Sequence, residues 1–109
     1  MSRAEDEPLD VVACDLGVFD EREAANHREW LAAVAESIVG REELPAGYRF
    51  RLSAGAFVSA ASWIALERRC CPFFDFALRW DARDDTATLD VTGPAGAKEI
   101  LGALGATFA

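Results

Sequence analysis

The sequence has little cysteine, no long uninterrupted apolar run and a shortage of positive charge. Its three cysteines, Cys14, Cys70 and Cys71, are few and odd in number, which argues against a disulfide framework. None is needed, because 51% of the 109 residues are apolar and can bury one core without covalent staples. No basic start leads into an apolar stretch and a small-residue cleavage site, so the expected setting is a reducing cytoplasm, where clustered thiols lean toward metal or redox work. The longest apolar run, "AGAFVSAASWIAL", is too short and too broken by serine to cross a bilayer, and no membrane partner is expected. A formal net charge of -8 repels phosphate backbones and argues against nucleic acid as a partner.

What is present reads as an α+β chain without repeats or low-complexity tracts. Residues 1–8 are polar and end at Pro8, the pattern of a flexible lead-in, leaving 9–109 as a single domain. "LDVVACDL" fits a strand or extended segment ending near Cys14. The segment 20–40 predicts a helix, with Asp20 as N-cap, Glu23 as its capping-box partner and Gly40 as the stop. On that helix Ala24, His27, Leu31, Val34 and Ile38 share a stripe, so His27 points with core residues. "LPAGYRFRL" supplies a turn and a strand with Tyr48, Phe50 and Leu52 on one face. A second helix runs from about Ala54 until Pro72 forces Cys71 out of helical geometry. Alternation through Phe74–Trp80 and Thr86–Thr92 around "DARDD" predicts a hairpin, and "TGPAGAKEILGALG" a short last helix. The order β-α-β-α-β-β-α suggests a mostly antiparallel sheet with about three helices packed on one face.

The chemistry concentrates in "ERRCCPFFDF", residues 67–76. On a helical wheel Ala56, Ala60, Trp63, Ile64, Glu67, Cys70 and Cys71 fall on one face, with Arg68 and Arg69 on the other. Glu67 precedes the two cysteines by three and four positions, the separations at which helical side chains become neighbours. A carboxylate in an apolar stripe must be neutralised, paired or bound; an arginine of a neighbouring strand, such as Arg49 or Arg51, is one candidate partner, and a role beside the thiols is the alternative. Inside a regular helix adjacent cysteines diverge by about 100°. With Cys71 extended, their sulfurs can converge on one ion. Arg68 and Arg69 would lower a thiol pKa, while burial, Glu67 and the helix dipole would raise it, so the sign stays open. Thiolates select soft cations, with Cys14 as a third sulfur and His27 as a nitrogen that would complete a tetrahedral zinc site. Phe73, opposite Phe74 and Phe76, is left to cover the site or a partner. "GPAGAK" lacks the full phosphate-loop pattern and reads as a strand-to-helix break.

The string "IALERRCCPFFDF", with Cys14, Leu16, Glu21 and Arg22 upstream, then "LPAGYRFRL" and "TGPAGAKEIL", resembles a group of small bacterial proteins carrying an L-E-R-x-C-C-P-F motif. The resemblance runs from Cys14 to about Leu101 and implies thiol-based accessories linked to heavy-metal or metalloid handling. It includes Cys14, Glu67, Cys70, Cys71 and Pro72, and not His27.

Three functions compete. The first is capture of a soft metal or metalloid ion by Cys14, Cys70 and Cys71, with Glu67 accepting thiol protons. The second is catalysis by Cys70, Cys71 and Glu67 on a small thiol-reactive substrate. It takes the form of thiol redox or of a protonolysis that resembles alkylmercury lyases in chemistry alone. The third is an interaction module, a homodimer built on an exposed sheet or on Phe73, to which the thiols are irrelevant.

Overall fold

The computed structural model describes residues 14–103. The lead-in expected over 1–8, and residues 9–13 of the expected first strand, lie outside the described residues. From Cys14 the chain enters a 3-10 turn at Leu16–Val18, capped by the Asp15 carboxylate, which accepts from the Gly17 N–H at 2.9 Å. Helix α1 spans Glu21–Glu36, strand β1 Ile38–Leu44 and strand β2 Gly47–Ser53. A 3-10 turn at Ala54–Ala56 leads into helix α2, Phe57–Cys70. Strands β3, Asp75–Asp81, and β4, Thr86–Thr92, precede helix α3, Ala97–Ala103. The four strands form one antiparallel sheet in the order β1-β2-β4-β3, so the fold is the α+β arrangement that the alternating patterns imply.

The local signals explain most boundaries. Asp20 accepts from the Glu23 N–H at 2.8 Å while the Glu23 carboxylate accepts from the Asp20 N–H at 3.1 Å, a complete capping box that starts α1. Asp85, at φ 55°, closes the turn between β3 and β4. Cys71, at φ -128° and ψ 71°, leaves helical geometry immediately before Pro72.

One boundary departs from the sequence pattern. Helix α1 stops at Glu36 rather than running to Gly40, because Ser37 turns the chain, its N–H and hydroxyl both donating to the Val34 carbonyl. The β-branched Ile38 and Val39 then open β1, and Gly40 faces Arg51 across the ladder. Strand β1 is thus an element that helical periodicity concealed. Pairing with β2 decides it.

The inner face of the sheet carries Phe50, Leu52, Ala87, Leu89 and Val91, all buried, and meets Ala60 and Trp63 of α2 and Val34 of α1. Trp63 packs edge-on against Phe76 with centroids 5.7 Å apart. Phe73 does not cover an outer surface. It is buried beside Phe74, centroids 4.5 Å apart, in the same core as Ala97 and Leu101 of α3. Among the described residues no helix is long and apolar enough to cross a membrane.

Gly47 opens β2 against the backbone of β4: a Cβ there would sit 1.9 Å from the Val91 carbonyl oxygen and 2.8 Å from the Thr92 Cα. Backbone cannot yield as a side-chain tip can. Gly47→Ala is therefore expected to destabilise the protein by about 1–3 kcal/mol through overpacking. A denaturant midpoint equal to wild type would contradict this.

Candidate thiol and metal-binding site

The two long helices pack on each other, and their contact creates the site. His27 on α1 and Glu67 on α2 face across it, and the Glu67 carboxylate accepts from the His27 ring N–H with Nε2 to Oε1 at 2.7 Å. Both residues are buried, 8% and 3% exposed. Arg49 and Arg51 are therefore not the partners of Glu67. Arg49 is held instead by Asp90, through Nε–Oδ1 and Nη2–Oδ2 contacts of 2.7 and 2.9 Å.

One turn beyond Glu67, the Cys70 thiol is 1% exposed, with its sulfur 3.7 Å from Glu67 Oε1 and 3.6 Å from the Glu67 carbonyl oxygen. The Cys71 N–H donates to that same carbonyl at 2.8 Å, which closes the helix end. Because Cys71 has left the helix, its sulfur swings back to 3.6 Å from that of Cys70. The expected convergence of the neighbouring sulfurs is present.

Cys14 arrives from outside α2. The Asp15 N–H donates to the Cys70 carbonyl at 2.7 Å. Arg69 secures the rest of this segment: it donates to Glu23 at 2.7 Å and to the Val18 carbonyl at 3.1 Å, and its guanidinium lies 5.4 Å from the Phe19 ring centre. Phe19 in turn lies against the His27 ring, centroids 5.1 Å apart. So placed, Cys14 forms a disulfide with Cys71 across a separation of 57 residues. In this state two of the three sulfurs expected as ligands are bonded to each other, and Cys70 is the free thiol. The odd cysteine count argues against a disulfide framework, yet the fold pairs two of the three.

The opposing influences on the thiol now resolve. Burial, and then the adjacent Glu67 charge, push the Cys70 pKa up to about 12. Arg68 is exposed, and Arg69 is committed to Glu23. The resting Cys70 is therefore a protonated thiol. Its activation requires removal of the proton by a base or displacement by a cation.

Two sets of side chains stand close enough to hold a metal ion: Cys14, Glu67 and Cys71, and His27, Glu67 and Cys70, with ligand atoms in each set within 4.8 Å of one another. Glu67 belongs to both and is the hub. His27, Asp15 and Arg69 are contributions that motif spacing alone did not assign. The facing stripes of the two helices carried the only signal for His27.

Comparison with protein-family models, with curated proteins and with solved structures gives no match. The functional argument therefore rests on this geometry.

A thiol pKa raised above the ordinary 9.0 to about 12 has a signed consequence for stability. Above pH 9.0 the unfolded chain loses a thiol proton that the native protein keeps, so stability is full below that pH and declines as pH rises toward about 12. Denaturant unfolding of the disulfide-bonded protein is expected to show this decline and the matching Cys70→Ser variant to lack it. Parallel pH profiles would contradict the assignment.

Proposed function

We propose that the protein captures a soft metal or metalloid ion through Cys70 and Cys71, with Cys14 as the third sulfur, in a reducing cytoplasm. The observation that carries this reading is the 3.6 Å separation of the Cys70 and Cys71 sulfurs. Thiolates bound at about 2.3 Å to a tetrahedral centre lie about 3.8 Å apart, so the two sulfurs already span one edge of a coordination shell. Glu67 beside them supplies a proton acceptor that a buried thiol otherwise lacks.

The disulfide defines the oxidised state, from which capture requires reduction. Two external thiols reduce it, becoming a disulfide themselves, while Cys14 and Cys71 become thiols. Cys14 is exposed and is the sulfur within reach of such a reductant, whereas Cys71 is buried. Arsenous acid would then exchange its three hydroxyl groups for the sulfurs of three thiols, whose protons leave with those hydroxyls as three waters. The likeness of "LERRCCPFF" to small bacterial thiol proteins points in the same direction.

The run from the Cys70 thiol through Glu67 to His27 favours a second reading, catalysis on a thiol-reactive compound held by the same sulfurs. In a protonolysis of that kind the Glu67 carboxylic acid would give its proton to a departing carbon while the sulfurs keep the metal.

Arsenite added to the reduced protein and followed by native mass is expected to bind at one equivalent. Cys70→Ser and Cys71→Ser should each greatly weaken retention without loss of the folded circular dichroism spectrum. Unchanged stoichiometry in both variants would overturn the capture reading. Turnover of an organomercurial that disappears in Glu67→Gln, with arsenite retention intact, would favour the catalytic one.

A further inference from the structure

The second ligand set contains neither partner of the disulfide. His27, Glu67 and Cys70 are 8%, 3% and 1% exposed, and their ligand atoms lie within 4.8 Å of one another in the oxidised protein. We propose that these three residues hold a zinc-class divalent cation while the Cys14–Cys71 bond is intact, a site that shares Cys70 with the three-sulfur reading above but does not require that reading to hold.

The geometry is close to what such an ion needs. With metal–oxygen bonds of about 2.0 Å and metal–sulfur bonds of about 2.3 Å, the oxygen and sulfur of a tetrahedral shell lie about 3.5 Å apart. The Glu67–Cys70 separation is 3.7 Å. His27 and Glu67, now 2.7 Å apart across a hydrogen bond, would separate by about 0.6 Å to admit the ion between them. Construction favours it too. Glu67 and Cys70 stand three positions apart on α2 and His27 comes from the facing α1, the way metal sites are assembled between packed helices.

Charge and donor chemistry select the class of cation. One carboxylate and one thiolate neutralise a dication, so the assembled site carries no net charge into a buried location. A nitrogen, an oxygen and a sulfur form a borderline set suited to zinc rather than to the softest ions. On binding, the Cys70 thiol proton leaves to solvent and the His27 proton moves from Nε2 to Nδ1, which frees both ligand atoms. Three protein ligands leave a fourth position open. The Cys71 sulfur, 3.6 Å from that of Cys70, becomes able to fill it once the disulfide is reduced.

Cobalt(II), a spectroscopic stand-in for zinc, tests this on the metal alone. Disulfide-bonded wild-type protein, its oxidation state verified by mass, is expected to bind one equivalent with tetrahedral visible bands and a sulfur-to-cobalt charge-transfer band. The Cys14→Ser/Cys71→Ser double variant, which keeps only the Cys70 thiol, should bind it in the same way. Cys70→Ser should lose the charge-transfer band, and His27→Gln or Glu67→Gln should weaken binding at least tenfold, about the lower bound for disturbing a metal's surroundings. Cobalt bound only after reduction and lost in the double variant would overturn the proposal and leave three-sulfur capture standing. Failure of oxidised wild type to bind cobalt, which needs no variant, would overturn it by itself. Loss of arsenite binding with cobalt binding retained would instead remove the capture reading.

Discussion

A carboxylate that is 3% exposed at a helix–helix contact cannot stand alone, and the rest of the site follows from how Glu67 is satisfied. Its partner is the His27 ring, 2.7 Å away on the facing helix. That contact joins α1 to α2 just before α2 ends, and so fixes where the last turn of α2 projects its sulfurs. An arginine from the sheet would have drawn Glu67 toward the strands. Asp90, which holds Arg49, removes one such competitor, and Arg51 stays exposed on the far face of β2.

Around that contact the chain concentrates restraints at one helix end. Pro72 expels Cys71 from the helix, the Glu67 carbonyl receives the Cys71 N–H, and the Cys70 carbonyl receives the Asp15 N–H. Arg69 ties the start of α1 and the segment before it to this end through Glu23 and Val18. The disulfide adds a covalent link over 57 residues between the same two places. The outcome is a buried corner where sulfur, oxygen and nitrogen donors meet around one carboxylate. Such a corner sets these donors close enough together to hold a metal ion.

What could be read from the sequence was the part that depends on near neighbours. The period-two alternation located β2, β3 and β4. The capping box located the start of α1, and the proline after Cys71 foretold the turned-out sulfur. Strand β1 stayed hidden because "IVGREEL" continues directly from a helical stripe and Gly40 imitates a helix stop. Only its pairing with β2 distinguishes the two. At the site, Glu67, Cys70 and Cys71 belong to one helix end and were legible from spacing and side-chain chemistry. The Glu67–His27 contact spans 40 residues and the Cys14–Cys71 bond 57, and no local pattern encodes which distant groups a fold will bring together. Phe73 was misplaced for a related reason. Alternation assigns opposite faces within a strand, but Phe73 precedes β3 and turns inward toward α3.

The account depends on the ring of His27 being locked onto a buried carboxylate, and His27 is the single histidine of the chain, so its resonances identify themselves. Nitrogen-edited proton NMR of the imidazole is the most direct measurement. The account predicts one ring N–H proton protected from exchange and strongly downfield, which loses both properties in Glu67→Gln. A ring proton that exchanges as freely as in solvent-exposed histidine, indifferent to Glu67→Gln, would contradict it.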